Sequence, residues 1–399
     1  MKIVQKGVMM YNIDTVIDEI IANKFIDLGK AYQKRKKYTL SKKSYHNALQ
    51  LREKLLAVDF EKYAPLVIET LQSLATLYKE KDEIDYTIEY YRKIITITRS
   101  LYQKTSQLNY ASLLAITMTK IAKLHIEYYN NHELGLYFHN EALTLYTTLL
   151  ENEEYLHNRV PLLETNISLA IIYQKMNMFQ KSEKHYLNAL SSCELLIASG
   201  VANHVDKLGM IHSDLATLYF TNNHEINAKE NYLLALEILT HSPKKELHLF
   251  RETIAIIQNN LANIYASNKK YTKAQLYFRA ALQHFIALAD EFPALYIDFV
   301  TTLFKNLALL YFDQGEHKKA EFFHLQSIKI YEEFIQYDAE KYSIQLASAI
   351  IDGVQYYGQH SLSLYRAESI LRAYGWYDKA EVLLGKICKL KSENVKEFV

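Results

Sequence analysis

Two Glu-x-x-His pairs are the residues of this sequence that come nearest to a catalytic spacing. Glu154/His157 and Glu321/His324 each place a carboxylate and an imidazole one helical turn apart, and carboxylate di-iron bundles use two such pairs that face each other. His324, however, falls at a position that the repeat described below fills with aromatic residues, and His157 falls near a predicted helix junction. The sequence has no glycine-rich phosphate loop, His-Glu-x-x-His motif or Cys-x-x-Cys motif. We therefore predict a non-enzymatic protein with no metal and no cofactor.

Asparagine side chains offer a second, non-covalent kind of chemistry. Asn259, Asn260 and Asn263 lie within five positions of a predicted helix, although asparagine is a poor helix former. An amide carries a donor and an acceptor together, which suits the backbone of an extended peptide whatever its sequence. The alternative is that these amides bridge neighbouring first helices of the repeat described below, without a ligand.

The elements that must position these residues follow from an internal repeat. A small residue, followed three positions later by an aromatic residue, recurs at intervals of 46, 47, 48, 46, 46, 46 and 45 residues. The copies are Gly29, Ala75, Ala122, Ala170, Ala216, Ala262, Ala308 and, more weakly, Gly353. Regular spacing over the whole chain predicts a stack of similar structural units.

A second pattern, small–aromatic–small at spacings of four and three, follows each of the first seven copies. Those spacings place its members on one face of a helix. The clear copies are Ser41/Tyr45/Ala48, Ser182/Tyr186/Ala189, Ala228/Tyr232/Ala235 and Ala274/Phe278/Ala281, and the looser ones are Thr87/Tyr91/Ile94, Gly135/His139/Ala142 and Ala320/His324/Ser327. His125 and His139 occupy aromatic positions, so we interpret them as core substitutes for tyrosine.

Together the two patterns resemble the tetratricopeptide repeat, with Leu-Gly/Ala-x-x-Tyr on a first helix and Ala-x-x-x-Phe/Tyr-x-x-Ala on a second. The resemblance implies an all-α, right-handed superhelical solenoid of antiparallel helix pairs. The period exceeds the usual value of about 34 residues, so we expect helices of about 17–22 residues each. This long form is similar to kinesin light chain repeats and to bacterial arrays. Pro65, Pro161 and Pro293 are predicted just before a first helix or in its first turn.

The domain organisation follows from where the repeat begins and ends. We predict a flexible lead over residues 1–12, a solenoid of seven clear repeats and one degenerate repeat over 13–359, and a frayed tail over 392–399. Residues 360–391 are predicted to form capping helices, Leu362–Tyr374 and Trp376–Leu390, because a terminal repeat needs a polar outer face.

Composition restricts the partners and the compartment. The formal net charge is +1, from 46 basic and 45 acidic residues, which gives no basic excess for binding nucleic acid. The sequence has no run of 18 consecutive apolar residues, so we predict no membrane span. The N-terminal residues are too few and too polar for a signal peptide. We expect a cytoplasmic protein in which Cys193 and Cys388 are reduced, partly buried thiols.

The resemblance also implies where a partner binds, because in tetratricopeptide arrays the first helices line a concave groove. The family's groove positions fall here on Lys30, Lys34, Gln72, Thr76, Lys79, Lys120, Lys123, Thr217, Phe220, Asn259, Asn260, Asn263, Lys305, Asn306 and Phe312. The lysines of the first three copies predict attraction for an acidic group, and the phenylalanines predict a site for an apolar side chain.

Three functions are consistent with these observations. The leading hypothesis is a scaffold or adaptor that binds a protein or an extended peptide. The second is a peptide-responsive regulator resembling bacterial tetratricopeptide pheromone receptors, although the repeats start too early for the N-terminal domain that many of those receptors carry. The third is self-assembly, with a homodimer formed through a terminal hairpin.

Overall fold

The structure is a computed structural model that describes residues 2–200, 204–241, 247–357, 363–374 and 377–396. In these ranges the chain forms 17 α-helices, short 3-10 turns and no β-strand. In chain order the helices are α1 (Lys2–Lys34), α2 (Tyr38–Val58), α3 (Phe60–Glu80), α4 (Ile84–Thr105), α5 (Leu108–Tyr129), α6 (His132–Leu149), α7 (Arg159–Lys175), α8 (Phe179–Ala198), α9 (Val205–Thr221), α10 (Glu225–Thr240), α11 (Arg251–Ser267), α12 (Tyr271–Glu291), α13 (Pro293–Asp313), α14 (His317–Phe334), α15 (Ala339–Tyr356), α16 (Ser363–Tyr374) and α17 (Tyr377–Lys396).

The helices pack as consecutive hairpins, from α1 with α2 to α15 with α16. The chain divides into two compact units, Met1–His204 (unit 1) and Val205–Val399 (unit 2). Unit 1 contains the hairpins from α1 to α8, and unit 2 contains those from α9 to α16, with α17 packed against α15 and α16. The predicted all-α solenoid of helix pairs is confirmed.

Both sequence patterns form the core. The alanines of the first pattern, from Ala75 to Ala308, are fully buried, and the aromatic residues of the second pattern are at most 8% exposed. Close approach explains the small residues, because a Cβ atom on Gly29 would overlap the ring of Tyr45. The hydroxyl of Ser41 also donates a hydrogen bond of 2.9 Å to the carbonyl of Gly29. The interpretation of His125 and His139 as core residues is confirmed, since they are 6% and 0% exposed.

The turn inside each of the first seven hairpins contains a residue with a positive φ, seven or eight positions after the small residue. These residues are Lys36, Asp82, Asn130, Asn177, Asn223, Lys269 and Gly315. The N–H of the next residue then donates to the carbonyl of the first pattern's aromatic residue, as Lys37 does to Tyr32 at 2.9 Å. A left-handed residue followed by such a bond is a common way to end a helix.

Some helix boundaries differ from the predicted ones. Helix α1 is continuous from Lys2, whereas the sequence predicted a flexible lead to residue 12; no proline precedes residue 13 to prevent an earlier start. Helix α17 reaches Lys396, into the segment predicted to fray, and residues 397–399, Leu362 and Trp376 lie outside the described ranges.

The prediction for Pro65 is wrong. It lies at the sixth position of α3, inside the helix, where it leaves the carbonyl of Glu61 without its helical donor. Pro161 and Pro293 do lie in the first turn of α7 and α13, where the N–H has no helical acceptor in any case.

Helix α13 (Pro293–Asp313) is long and apolar enough to cross a membrane by length and composition alone. In the structure it packs between α12 and α14, and its buried side chains include Leu307, Ala308 and Tyr311 of the first pattern. It is therefore a core helix of the seventh repeat.

Neither cysteine forms a disulfide with a described residue. Cys193 is buried and its Sγ lies 3.3 Å from the carbonyl oxygen of His204. The sequence predicted partial burial of Cys388. It is exposed instead, because it lies on the outer side of α17.

Candidate docking face on the first helices

Side chains of successive first helices contact one another and define a common surface, which we call the first-helix face of each unit. In unit 1, Lys30 on α1 forms an ion pair of 2.9 Å with Glu69 on α3. Gln33 on α1 donates a 2.9 Å hydrogen bond to Glu80 on α3. These contacts place Lys30 and Gln33 of α1 on the same surface as Glu69 and Glu80 of α3.

Glutamates on the next first helix compensate two of the predicted groove lysines. Glu69 accepts from Lys30 and from Arg52, at 2.9 and 3.1 Å, and Lys123 on α5 lies 3.6 Å from Glu164 on α7. Burial opposes ionisation of Glu69, but the hydrogen bonds and charges of Lys30 and Arg52 outweigh it and lower the pKa of this carboxyl below its usual value. The charges of Lys30 and Lys123 are therefore partly offset by carboxylates of the protein itself.

Lys79 on α3 and Lys120 on α5 are different. Neither has a carboxylate within ion-pair distance in the part of the chain that the structure describes. The Lys120 Nζ lies 6.0 Å from the centre of the Tyr91 ring; partial burial and then the charge of Lys79 lower its pKa below the usual value. The charge of Lys79 thus acts on Lys120 from the neighbouring first helix, and neither ammonium group has a described carboxylate within ion-pair distance. Lys34, exposed at the end of α1, likewise has no ion pair to a described residue.

Two neutral polar residues continue the surface along α3. Gln72, Thr76 and Lys79 are separated by four and three positions, so they lie in one row on the helix. Thr76 and Lys79 are exposed and Gln72 is half-buried. The Thr76 hydroxyl donates to the backbone carbonyl of Gln72 at 2.9 Å. The side-chain amide of Gln72 makes no hydrogen bond to a described residue.

In unit 2 the predicted amides mostly bond to other side chains. Asn306 on α13 donates to Asn259 on α11 at 3.1 Å, and Asn260 donates to the hydroxyl of Tyr232 at 2.8 Å. Thr217 lies 3.0 Å from the same hydroxyl. The Asn306–Asn259 contact bridges two neighbouring first helices, as in the alternative without a ligand, whereas Asn260 bonds to the second helix α10. Only Asn263, half-buried on α11, makes no side-chain hydrogen bond to the residues that the structure describes.

The remaining predicted positions of unit 2 do not form one cluster. Phe312 contacts the rings of His317 and Tyr357 edge-on, at 5.3 and 5.8 Å between centroids. Phe220 is half-buried on α9, two repeats away from Phe312. The Lys305 Nζ lies 5.0 Å above the Tyr331 ring. These side chains pack against their own neighbours, and the structure does not bring the two phenylalanines together.

His324, one of the two histidines that suggested a metal, makes contacts typical of a core residue. The His324 Nε2 lies 2.9 Å from the carbonyl of Ala349, and the ring stacks on Tyr357 at 4.5 Å. Within the described ranges, no group of three or more His, Cys, Asp or Glu side chains is placed to hold a metal ion.

Arg52 is an important residue of unit 1 that sequence reasoning missed. Its side chain is 3% exposed, and its guanidinium donates to the Leu66 carbonyl, the Thr70 hydroxyl and the Asn23 amide oxygen at 2.6, 2.8 and 2.8 Å. It thereby connects α2 to both α1 and α3. One signal was available: the equivalent positions of the third to seventh repeats hold Tyr146, Cys193, Leu239, Phe285 and Tyr331, so a charged residue here interrupts a core column.

Comparison with known proteins gives the following similarities. Residues 247–283, which include α11 and much of α12, match the family described as tetratricopeptide repeat. No curated protein matches the sequence. The apo form of RapI is 14% identical, with a TM-score of 0.54 over 88% of this chain and 87% of that one. BtubC (BKLC) from P. vanneervenii is 24% identical, with a TM-score of 0.42 over 66% of this chain and 92% of that one. Aspartyl phosphate phosphatase F from Bacillus subtilis is 13% identical, with a TM-score of 0.47 over 88% and 93%.

Proposed function

We propose that this tetratricopeptide repeat protein is a cytoplasmic scaffold that docks another protein or an extended peptide on the first-helix face of unit 1. In the docked complex an acidic group of the partner lies over Lys79 and Lys120. The observation that carries the proposal is this pair of neighbouring lysines without a described carboxylate beside them.

The charge pattern around the pair supports an anionic ligand. Lys30 and Lys123 each have a glutamate on the following first helix, whereas Lys79 has Lys120 there. The Coulomb attraction between a lysine and a carboxylate about 4 Å apart near a protein surface is about 1–4 kcal/mol, of which an exposed pair retains up to about 1 kcal/mol after desolvation and side-chain ordering. A carboxylate that contacts both lysines would also remove their mutual repulsion. The nearly neutral chain, with a net charge of +1, favours a protein partner over nucleic acid.

Neighbouring groups suit a peptide rather than a free anion. Gln72 and Thr76 extend the polar row away from Lys79 along α3, over a rise of about 10 Å for seven residues. An amide side chain can donate to and accept from a peptide backbone. The expected ligand is therefore an extended segment with an Asp, a Glu or a C-terminal carboxylate at one end.

Affinity capture from the native lysate tests the proposal. The Lys79→Glu/Lys120→Glu variant should lose partners that the unchanged chain retains, because the pair then repels acidic groups. The matched control is Lys43→Glu/Lys54→Glu, which makes the same change of net charge at two exposed positions of α2. Retention of the same partners by Lys79→Glu/Lys120→Glu, or equal loss with the control variant, would contradict the proposal.

A second candidate is a regulator that changes conformation when a peptide binds to the same face. The fold shared with RapI over 88% of this chain is the observation behind it. Small-angle X-ray scattering with and without a bound acidic peptide separates the two functions. A changed scattering curve favours the regulator, and an unchanged curve with the peptide bound favours the static scaffold.

A further inference from the structure

Asp214 on α9 is a carboxylate without a counter-charge on the first-helix face of unit 2. It holds the repeat position that Asn260 holds on α11 and Asn306 holds on α13, at intervals of 46 residues. Both of those amides are hydrogen-bonded to other side chains. Asp214 is half-buried, and it makes no hydrogen bond or ion pair to a residue that the structure describes. The one member of this column in unit 2 that carries a charge is therefore the one that is left unpaired.

The surroundings of Asp214 disfavour its charge. Burial raises the pKa of this carboxyl to about 6, compared with about 3.9 for an exposed aspartate. At neutral pH the group is still mostly ionised, in a position where water solvates it poorly. An asparagine has nearly the same shape and would avoid this cost, as it does on α11 and α13. A carboxylate at this position is favourable only when a cation accompanies it.

The hydroxyl groups near Asp214 do not supply the missing partner. Thr217, one helical turn further along α9, donates to the backbone carbonyl of Ser213 at 2.9 Å. The Tyr232 hydroxyl lies 3.0 Å from the Thr217 hydroxyl and accepts from Asn260 at 2.8 Å. With the Thr217 proton directed to Ser213, the Tyr232 proton is directed to Thr217. Neither hydroxyl then donates to Asp214, and the carboxylate is left for a ligand.

We propose that Asp214 binds the cationic head of a lysine or arginine side chain in an extended segment of a partner protein. The site is independent of the one proposed for unit 1, because it uses only the first-helix face of unit 2. A metal ion fits the site less well, since within the described ranges no group of three or more His, Cys, Asp or Glu side chains is placed to hold one.

The neighbouring first helices indicate the path of the segment. Asn263 on α11 and Leu309 on α13 hold the repeat position of Thr217, at intervals of 46 residues. Asn263 makes no side-chain hydrogen bond to a described residue, and its amide suits a peptide backbone. Leu309 is 55% exposed and offers an apolar contact. With packed helices about 10 Å apart, about six extended residues span the distance from α9 to α13.

Selection from a random twelve-residue peptide library displayed on phage, with the full chain as bait, tests the site. The retained peptides should be enriched in arginine or lysine, and Asp214→Asn should not retain them. The matched control is Asp290→Asn, the same loss of charge at an exposed position of α12, which should retain the same peptides. Absence of enrichment, an enriched set without a basic residue, or equal retention by Asp214→Asn overturns the proposal.

A double-mutant cycle on the most enriched peptide tests the contact itself. Asp214→Asn, and glutamine in place of the peptide's basic residue, should each weaken binding by about tenfold in a fluorescence titration. The two changes together should weaken it little more than either alone, because both remove the same contact. Additive losses would overturn the assignment of the basic residue to Asp214.

Urea unfolding without peptide separates loss of the site from loss of the fold. At pH 7.5 Asp214→Asn should unfold at a higher urea concentration than the unchanged chain, because it removes a poorly solvated charge. A lower midpoint would contradict the inference that Asp214 lacks a partner in the free protein.

Discussion

Replacing His139 by Phe should stabilise unit 1, and more at acidic pH. His139 occupies the second-pattern position at which five other repeats have Tyr or Phe. Its ring is 0% exposed and neither ring nitrogen has a hydrogen-bond partner among the described residues. An unsatisfied buried polar group costs about 1–3 kcal/mol, and the larger ring needs some repacking. At pH 7.5 we expect a net gain of about 1 kcal/mol.

The pH dependence follows from the histidine's lowered pKa. Burial, and secondarily the charge of Lys123, lowers the pKa of His139 to about 4, compared with about 6.5 in the unfolded chain. Between these values the unfolded state binds the proton and the folded state does not, so the stability of the unchanged protein falls as the pH falls. Linkage gives a loss of about 2 kcal/mol between pH 7.5 and pH 5. His139→Phe removes this loss.

Urea unfolding followed by circular dichroism at pH 7.5 and pH 5 measures the difference, and hydrogen exchange of α5 and α6 locates it. His324→Phe is the informative control. His324 occupies the equivalent position of the seventh repeat and its pKa is also lowered to about 4, but its Nε2 contacts the Ala349 carbonyl at 2.9 Å. This substitution should destabilise by about 1 kcal/mol at pH 7.5, because the hydrogen bond between the buried imidazole and the Ala349 carbonyl is lost. A destabilised His139→Phe, or an advantage that does not grow at pH 5, would refute the reasoning.

Two further pairs of substitutions test the fold. Arg52→Ala should destabilise unit 1 by about 3 kcal/mol, because it removes a buried guanidinium that connects α2 to α1 and α3. Arg99→Ala, which breaks an exposed ion pair with Glu141, should cost less than about 1 kcal/mol. Urea midpoints that are equal for the two variants would contradict this account of Arg52. Lys269→Gly should stabilise the protein by about 0.5–1 kcal/mol, because Lys269 has a φ of 56°, which glycine adopts with less strain. Gly315→Ala, at a φ of 75°, should destabilise the protein by about 1 kcal/mol for the same reason. Thermal unfolding that shows no difference in sign would sink the strain argument.

The architecture was predictable because the residue types of each repeat indicate which side chains are buried. The recurring alanine and tyrosine positions specify which face of each helix is buried, and the period predicts the long helices. The positive-φ turns were also predictable from the sequence, since Asn130, Asn177, Asn223 and Gly315 are turn-forming residues seven or eight positions after the small residue. Lysine at the same offset in Lys36 and Lys269 concealed the pattern.

The candidate site was less predictable because side-chain partners lie on other helices. Asn260 bonds to Tyr232, 28 positions earlier, and Lys30 pairs with Glu69, 39 positions later. Neither distance corresponds to the repeat period, so no pattern in the sequence indicates the pairing. The groove residues of the family therefore divide here into bonded side chains, such as Asn260 and Lys30, and unpaired ones, such as Lys79 and Lys120. Only the contacts distinguish the two groups.

Titration of the full chain with a fluorescent ten-residue glutamate-rich peptide tests the docking site most directly. We expect binding that weakens with salt, and a loss of at least about tenfold in affinity for Lys79→Glu/Lys120→Glu. The control Lys43→Glu/Lys54→Glu should bind nearly as well as the unchanged chain, and a peptide with glutamine in place of glutamate should bind to neither. Equal affinity of the two charge-reversed variants for the acidic peptide would contradict a docking site at Lys79 and Lys120.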